Sequence, residues 1–377
     1  MPVLSWSQVN AWRMAQHYLT LQADSSRLLE VVSRVGALQA QVMSAAELQL
    51  WARISNLSPT DVGDALWKQR SLVKTWVLRG TLHLVAARDF PLYVGAISEA
   101  LIKFYTRGSW LKYNGVTMEE FEAIISAVDA TLTDTFITRK QLAEAIGKHT
   151  GSPHIQTRLE SGWGVLLKPS AVRGLIVFGE SDGQNVTFVH SRHWLGDWSP
   201  VTAPEAVREV ALRYLTAYGP ATADDFGHWV GMQPADAKKA FKLLGSEIEP
   251  VEVEGWKAWA LVSSLTALDS ARPIGAVRLL PNFDPYVISA SHHAQFMLDE
   301  AYKARVYRPQ GWISPVILVD GRIEGVWGYE RKRSQIVVTV DLFSPQDEVV
   351  KRIIQMETQR LGAFFGSDAE LIFAKDG

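Results

Sequence analysis

Two uncharged amides, Gln39 and Gln41, flank a small Ala40 inside the run VGALQAQVMSAAELQLWARI. Val35, Leu38, Val42, Leu48 and Trp51 set an apolar pattern that buries much of this segment. An amide drawn into such surroundings must find hydrogen-bond partners or cost stability. Two readings follow. The amides cap neighbouring backbone, or they face a cavity and hold a water or a base edge, since each offers two donors and two acceptor lone pairs.

The composition limits what else could carry chemistry. With no cysteine among 377 residues there is no disulfide framework, thiolate nucleophile, iron–sulfur cluster or cysteine-ligated zinc. His190 and His193 are three apart, but no Glu-containing zincin spacing surrounds them. Neither a Gly-rich phosphate loop nor a serine-hydrolase motif is found, so the sequence implies no cofactor and no metal. The start, MPVLSWSQVNAWRMAQ, does not read as a signal peptide, and no 18-residue apolar run suggests a membrane span; a cytoplasmic protein is expected.

A formal net charge of −2 argues against a chain that coats nucleic acid. The charge is uneven, however. Residues 271–340 hold nine Lys plus Arg against six Asp plus Glu, a local +3, whereas 200–270 carry −4 and 341–377 carry −3. Arg331, Lys332 and Arg333 sit between two strand-like runs in this basic stretch and mark a hairpin tip, either a solvated turn or a phosphate contact.

The elements that must position these residues repeat. From Thr117 to His190 an amphipathic helix (Phe121, Ile124, Ile125, Val128) precedes a helix that Thr138 caps, then a further helical stretch and two alternating strands. Ala203 to Val262 follows the same order, ending in strand-like halves that meet near Glu254 and Gly255. The amino-terminal third fits less cleanly: helices capped by Ser5 or Ser7 and by Ser58 or Thr60, then TWVLRGTLHLV as a strand pair turning at Gly80. From Arg272 onward the chain reads as strand, including AVRLLPNFDPYVI, with a terminal amphipathic helix. The expectation is an α+β protein of tandem winged-helix units in a C-shaped array: 1–116 with the amide motif, 117–200, 201–270, and a β-rich domain with a terminal helix at 271–377.

QAQVMSAAELQLWARI, WVLRGTLHLVAARDF and LLPNFDPYVIS resemble signature stretches of the winged-helix AlkZ-like and YcaQ-like DNA glycosylases, and the likeness runs over nearly the whole chain. The family's motif is Gln, a small or apolar residue, then Gln or Asp. Gln39-Ala40-Gln41 matches it, and the second Gln places the chain closer to the azinomycin-resistance AlkZ-like branch, which unhooks interstrand crosslinks.

The resemblance implies a monofunctional DNA glycosylase acting on alkylated purines in double-stranded DNA, with Gln39 and Gln41 catalytic. N7-alkylguanine carries a positive charge, so its glycosidic bond is already weakened. A neutral amide is a poor general base. Gln39 and Gln41 would orient water at the anomeric carbon, with Glu47 or Asp284 as a carboxylate to finish the proton transfer. Both carboxylates also read structurally, as a helix-surface group and as a turn former beside Pro285. Arg79 and His83 would stand beside the motif, although a histidine between Leu82 and Leu84 is also a common core residue. A crosslinked base cannot leave its duplex, so an open surface is expected, on a monomer. The rival reading is a non-enzymatic winged-helix transcriptional regulator; a protein-interaction scaffold is a third.

Overall fold

The computed structural model describes residues 1–161, 164–289, 291–333 and 335–374 of a mixed α+β chain. Its contacts gather into two compact units. One comprises Met1–Val62, Leu212–Asp225 and Leu244–Gly377; the other comprises Gly63–Ala211 and Phe226–Leu243.

The first unit is built on a five-stranded sheet, ordered Val277–Leu280, Val316–Val319, Arg322–Arg331, Gln335–Leu342, Asp368–Phe373. Neighbours are antiparallel except the last pair, which is parallel and therefore needs a crossover. That crossover is the terminal helix Glu348–Phe365, capped by Asp347 and closed by Gly366 at φ 64°. It packs across the sheet, so that Val277, Leu279, Ile317, Val338, Val340, Ile354 and Leu361 are fully buried. Each such side chain contributes about 1.5–3 kcal/mol on leaving water.

The chain start is also built into this unit. Val3–Leu4 pairs in parallel with Ile248–Val253, which forms a hairpin with Trp256–Leu261 through Glu254 (φ 48°) and Gly255 (φ 89°). The helix Trp6–Gln16 has a full capping box at Ser5 and buries Trp6, Val9 and Trp12 against Val251, Val253 and Ala258. Helix Leu28–Val35 buries Leu28, Val31, Val32 and Val35 on one face. It stops at Gly36, φ 89°, and the chain continues into the short strand Leu38–Gln39 and the helix Met43–Trp51.

The second unit contains the hairpin Leu72–Trp76 with Leu82–Ala86 and a set of helices over a three-stranded sheet. Helices Met118–Thr131 and Arg139–Thr150 start at capping boxes, Thr117 with Glu120 and Thr138 with Gln141. The strand order places Ile137–Thr138 beside Asn185–His190 and that beside Ile176–Asp182. Ile124, Val128, Ile146, Leu167, Phe178 and Phe188 share one core with Trp76. The hairpin turn at Gly80, the pair ending near Glu254–Gly255, and the tip after Arg331 fall where alternation and turn residues place them.

One stretch departs from the sequence reading. LLPNFDPYVIS is strand only to Leu280; Phe283 turns left-handed at φ 57°, and Pro285–Ser289 is a short helix. The cause is local. Asp284 accepts from the backbone N–H of Tyr286 at 2.9 Å, and Pro285 opens the helical turn, so the apolar run Tyr286–Val287 is buried as helix instead of continuing the sheet.

Candidate active site

Gln39 ends the strand Leu38–Gln39, and the chain surfaces two residues on, at Gln41. Leu38 and Ala40 are fully buried and Gln39 is 9% exposed, whereas Gln41 is exposed. The two side chains meet: Gln39 Nε2 donates to Gln41 Oε1 at 2.6 Å. This joins one amide donor to one acceptor and leaves Gln41 Nε2 and Gln39 Oε1 as a donor and an acceptor of the pair. A surface carrying both can hold a water molecule in one orientation.

The backbone beneath the pair is fixed by residues that the sequence reading did not single out. Gln49, fully buried on helix Met43–Trp51, donates from Nε2 to the carbonyl of Gln39 at 3.1 Å and to that of Asn282 at 3.4 Å. Four residues on, Arg53 donates to the Gln49 carbonyl at 2.9 Å and grips Asp284 in a bidentate pair at 2.7 and 2.8 Å. Both side chains of that ion pair are wholly buried. Arg53 also approaches Nδ1 of His17 at 3.4 Å. Burial, reinforced by the Arg53 charge, holds His17 well below its ordinary pKa, so the ring is neutral. The signal for Gln49 and Arg53 was present in the sequence as polar residues interrupting an apolar helix at a spacing of four.

The remaining candidates occupy different settings. Asp284 has no exposed surface, and its oxygens are taken by Arg53 and by the Tyr286 N–H, so its carboxylate serves the fold at the position observed. Glu47 is half-buried on helix Met43–Trp51. Burial raises the Tyr329 phenol, Arg331 opposes the rise, and the Glu47 carboxylate adds to it. Arg331, Lys332 and Arg333 are exposed at the end of the Arg322–Arg331 strand, with Arg331 lying over the Phe365 ring at 4.7 Å. Next to Asn282, the buried Phe283 receives the edge of half-exposed Trp312, centroids 4.9 Å apart.

Arg79 and His83 belong to the second unit. Arg79 has a left-handed backbone, φ 56°, and its guanidinium donates to the Trp229 carbonyl. His83 is buried, with Nδ1 2.9 Å from the Thr81 carbonyl. Burial, with the Arg79 charge adding to it, pulls its pKa down to about 3. The ring is therefore neutral, its proton on Nδ1 donated to Thr81 and its Nε2 an acceptor. Among the described residues no three His, Asp or Glu side chains converge as metal ligands, and no helix is long and apolar enough to cross a membrane.

Comparison with known proteins identifies relatives over nearly the whole chain. The interstrand DNA cross-link repair glycosylase of Streptomyces sahachiroi is 34% identical over 340 residues, spanning 89% of this chain and 90% of that protein. The solved structure of the Streptomyces sahachiroi DNA glycosylase AlkZ superposes with a TM-score of 0.89 at 31% identity, covering 99% of this chain and 100% of that one. A family model of AlkZ-like DNA glycosylases matches residues 32–364, which include the amide pair and the elements beneath it, and the chain belongs to that family.

Proposed function

We propose that the protein hydrolyses the N-glycosidic bond of N7-alkylated guanine in duplex DNA, including guanine tied into an interstrand crosslink, as a monofunctional glycosylase without a cofactor. The observation that carries this reading is the hydrogen-bonded pair Gln39–Gln41, with one amide buried and the other at the surface. The cationic base is already a good leaving group, so the site need not supply a strong acid. The remaining task is to hold water against the anomeric carbon as oxocarbenium character develops, which is a matter of position. The amide pair offers a donor and an acceptor for that water. Once the water oxygen bonds to carbon it is acidic, and its proton passes to solvent or to Glu47 without a buried base.

The helix-and-hairpin repeats at 117–200 and 201–270 support a reading as winged helices, with 1–116 carrying the motif as a third unit. Arg331, Lys332 and Arg333 serve as phosphate contacts in this reading, on the same compact unit as the amide pair. The substrate is reached at a surface, which suits a base that cannot be flipped out of its duplex.

The test is release of base from duplex DNA carrying N7-methylguanine and from duplex carrying an N7-linked crosslink, followed with wild type, Gln39→Ala and Gln41→Ala. Wild type should release base from both, and each variant should lose about 100- to 1,000-fold in single-turnover rate while binding DNA as before, because the amides act on the transition state more than on phosphates. Wild-type protein that releases nothing, or variants as fast as wild type, would refute it. Tight binding of one undamaged sequence without base release would instead identify a regulator.

A further inference from the structure

We infer that Gln49 is a positioning residue of the active site: it clamps the Gln39 backbone to the Asn282 turn, and so fixes where the two catalytic amides point. The inference rests on the glycosylase reading above and concerns a residue that does not touch the substrate. Gln49 is fully buried, yet its Nε2 donates to two main-chain carbonyls, that of Gln39 ten residues back at 3.1 Å and that of the sequence-distant Asn282 at 3.4 Å. Glutamine is a sound helix former anywhere on a helix, but between Leu48 and Leu50 it is buried, and burying an amide there has a cost unless it makes such bonds. Its Oε1 has no hydrogen-bond partner among the described residues, so the donor end is the part in use.

The clamp is itself anchored at both ends. Arg53 donates to the Gln49 carbonyl and is held by Asp284, while Asp284 and Asn282 stand on the same turn around the left-handed Phe283. One end of the ladder is thus a buried ion pair and the other is the carbonyl of the first catalytic glutamine. Gln39 stands on a strand of only two residues, and a side chain that must hold water within a few tenths of an ångström gains from a further tie to its backbone.

The test uses the full-length protein with Gln49→Met, which conserves volume but has no donor. Single-turnover release of N7-methylguanine should fall about 10- to 100-fold in Gln49→Met, with DNA affinity within about twofold of wild type. Placed on a Gln39→Ala background, Gln49→Met should add no further loss, because it acts through Gln39. Backbone hydrogen exchange across residues 38–42 should rise in the variant while its thermal midpoint stays near wild type. A full-rate Gln49→Met, a loss that persists without Gln39, or unchanged exchange across 38–42 would overturn the inference. If wild type releases no base, the glycosylase reading fails by itself, and the exchange result still decides whether Gln49 is the clamp. If Gln49→Met does not fold, the same readings are taken on Gln49→Asn, which stays neutral but is one carbon too short to reach both carbonyls.

Discussion

Asp284→Asn removes one charge from an ion pair in which neither side chain is exposed. Arg53 then keeps its own charge in a site whose remaining contacts are the Gln49 carbonyl and a neutral His17. Of the two charge-assisted hydrogen bonds, at 2.7 and 2.8 Å, one is lost and the other weakened, since the new amide keeps a single neutral oxygen acceptor and turns its NH2 toward a guanidinium that only donates. Breaking a buried pair from one side costs about 3–5 kcal/mol. With an unfolding entropy of roughly 2 cal/mol/K per residue over the chain, that lowers the thermal midpoint by about 4–6 °C. Calorimetry measures the shift, and base release at 20 °C measures what it does to the site. The double variant Arg53→Met with Asp284→Leu should recover most of the stability, because no charge is stranded. A midpoint unchanged in Asp284→Asn would refute the buried-pair argument. An unchanged midpoint together with a 100-fold slower base release would show instead that Asp284 serves catalysis, by taking a proton or by anchoring the clamp beneath Gln39.

Other outcomes follow from local geometry. Gly80 has φ 64°, and a Cβ added there would lie 2.4 Å from the Tyr105 hydroxyl, so Gly80→Ala should lose about 1–3 kcal/mol by chemical denaturation, whereas Thr81→Ala beside it should not. His83, with its pKa drawn down to about 3, and His17, also depressed, are neutral when folded and near 6.5 when unfolded. Their contribution is complete above about pH 6.5 and is lost as pH falls from there toward the folded values, at up to roughly 1.4 kcal/mol per pH unit for each ring. Thermal midpoints measured from pH 8 to 4.5 should fall below 6.5, and His83→Asn should flatten that slope. Replacing Arg331, Lys332 and Arg333 by Ala should weaken binding to all duplexes alike and reduce the log Kd against log salt slope by about 2 to 3, whereas an unchanged slope would remove the tip from the DNA contact.

Local pattern was sufficient for much of this protein. Thr117, Thr138 and Ser5 cap helices because their side chains satisfy first-turn N–H groups, and that chemistry is contained within four residues. Hairpins ending at Gly80, at Glu254–Gly255 and after Arg331 are legible for the same reason, as turn residues interrupting alternation. Gln39 and Gln41 stood out as two amides either side of Ala40 in an apolar run, and their residue types resemble a family motif. LLPNFDPYVIS misled because its apolar content fits a strand or a buried helix equally, and the choice was made by Asp284 capping its own turn.

What the sequence determined by itself was therefore the set of local elements and the presence of two amides in an apolar run. The support beneath them was decided only by tertiary structure. Asn282 and Asp284 lie more than two hundred residues from Gln49 and Arg53, and Val3–Leu4 completes a sheet with residues near 250. No spacing rule encodes such pairs, since each joins segments that meet only once the chain has packed, as the apolar helix Met43–Trp51 meets the turn after Leu280. Burial is also what neutralises His17 and commits Asp284 to Arg53, so the roles of the charged groups followed from packing and not from residue type.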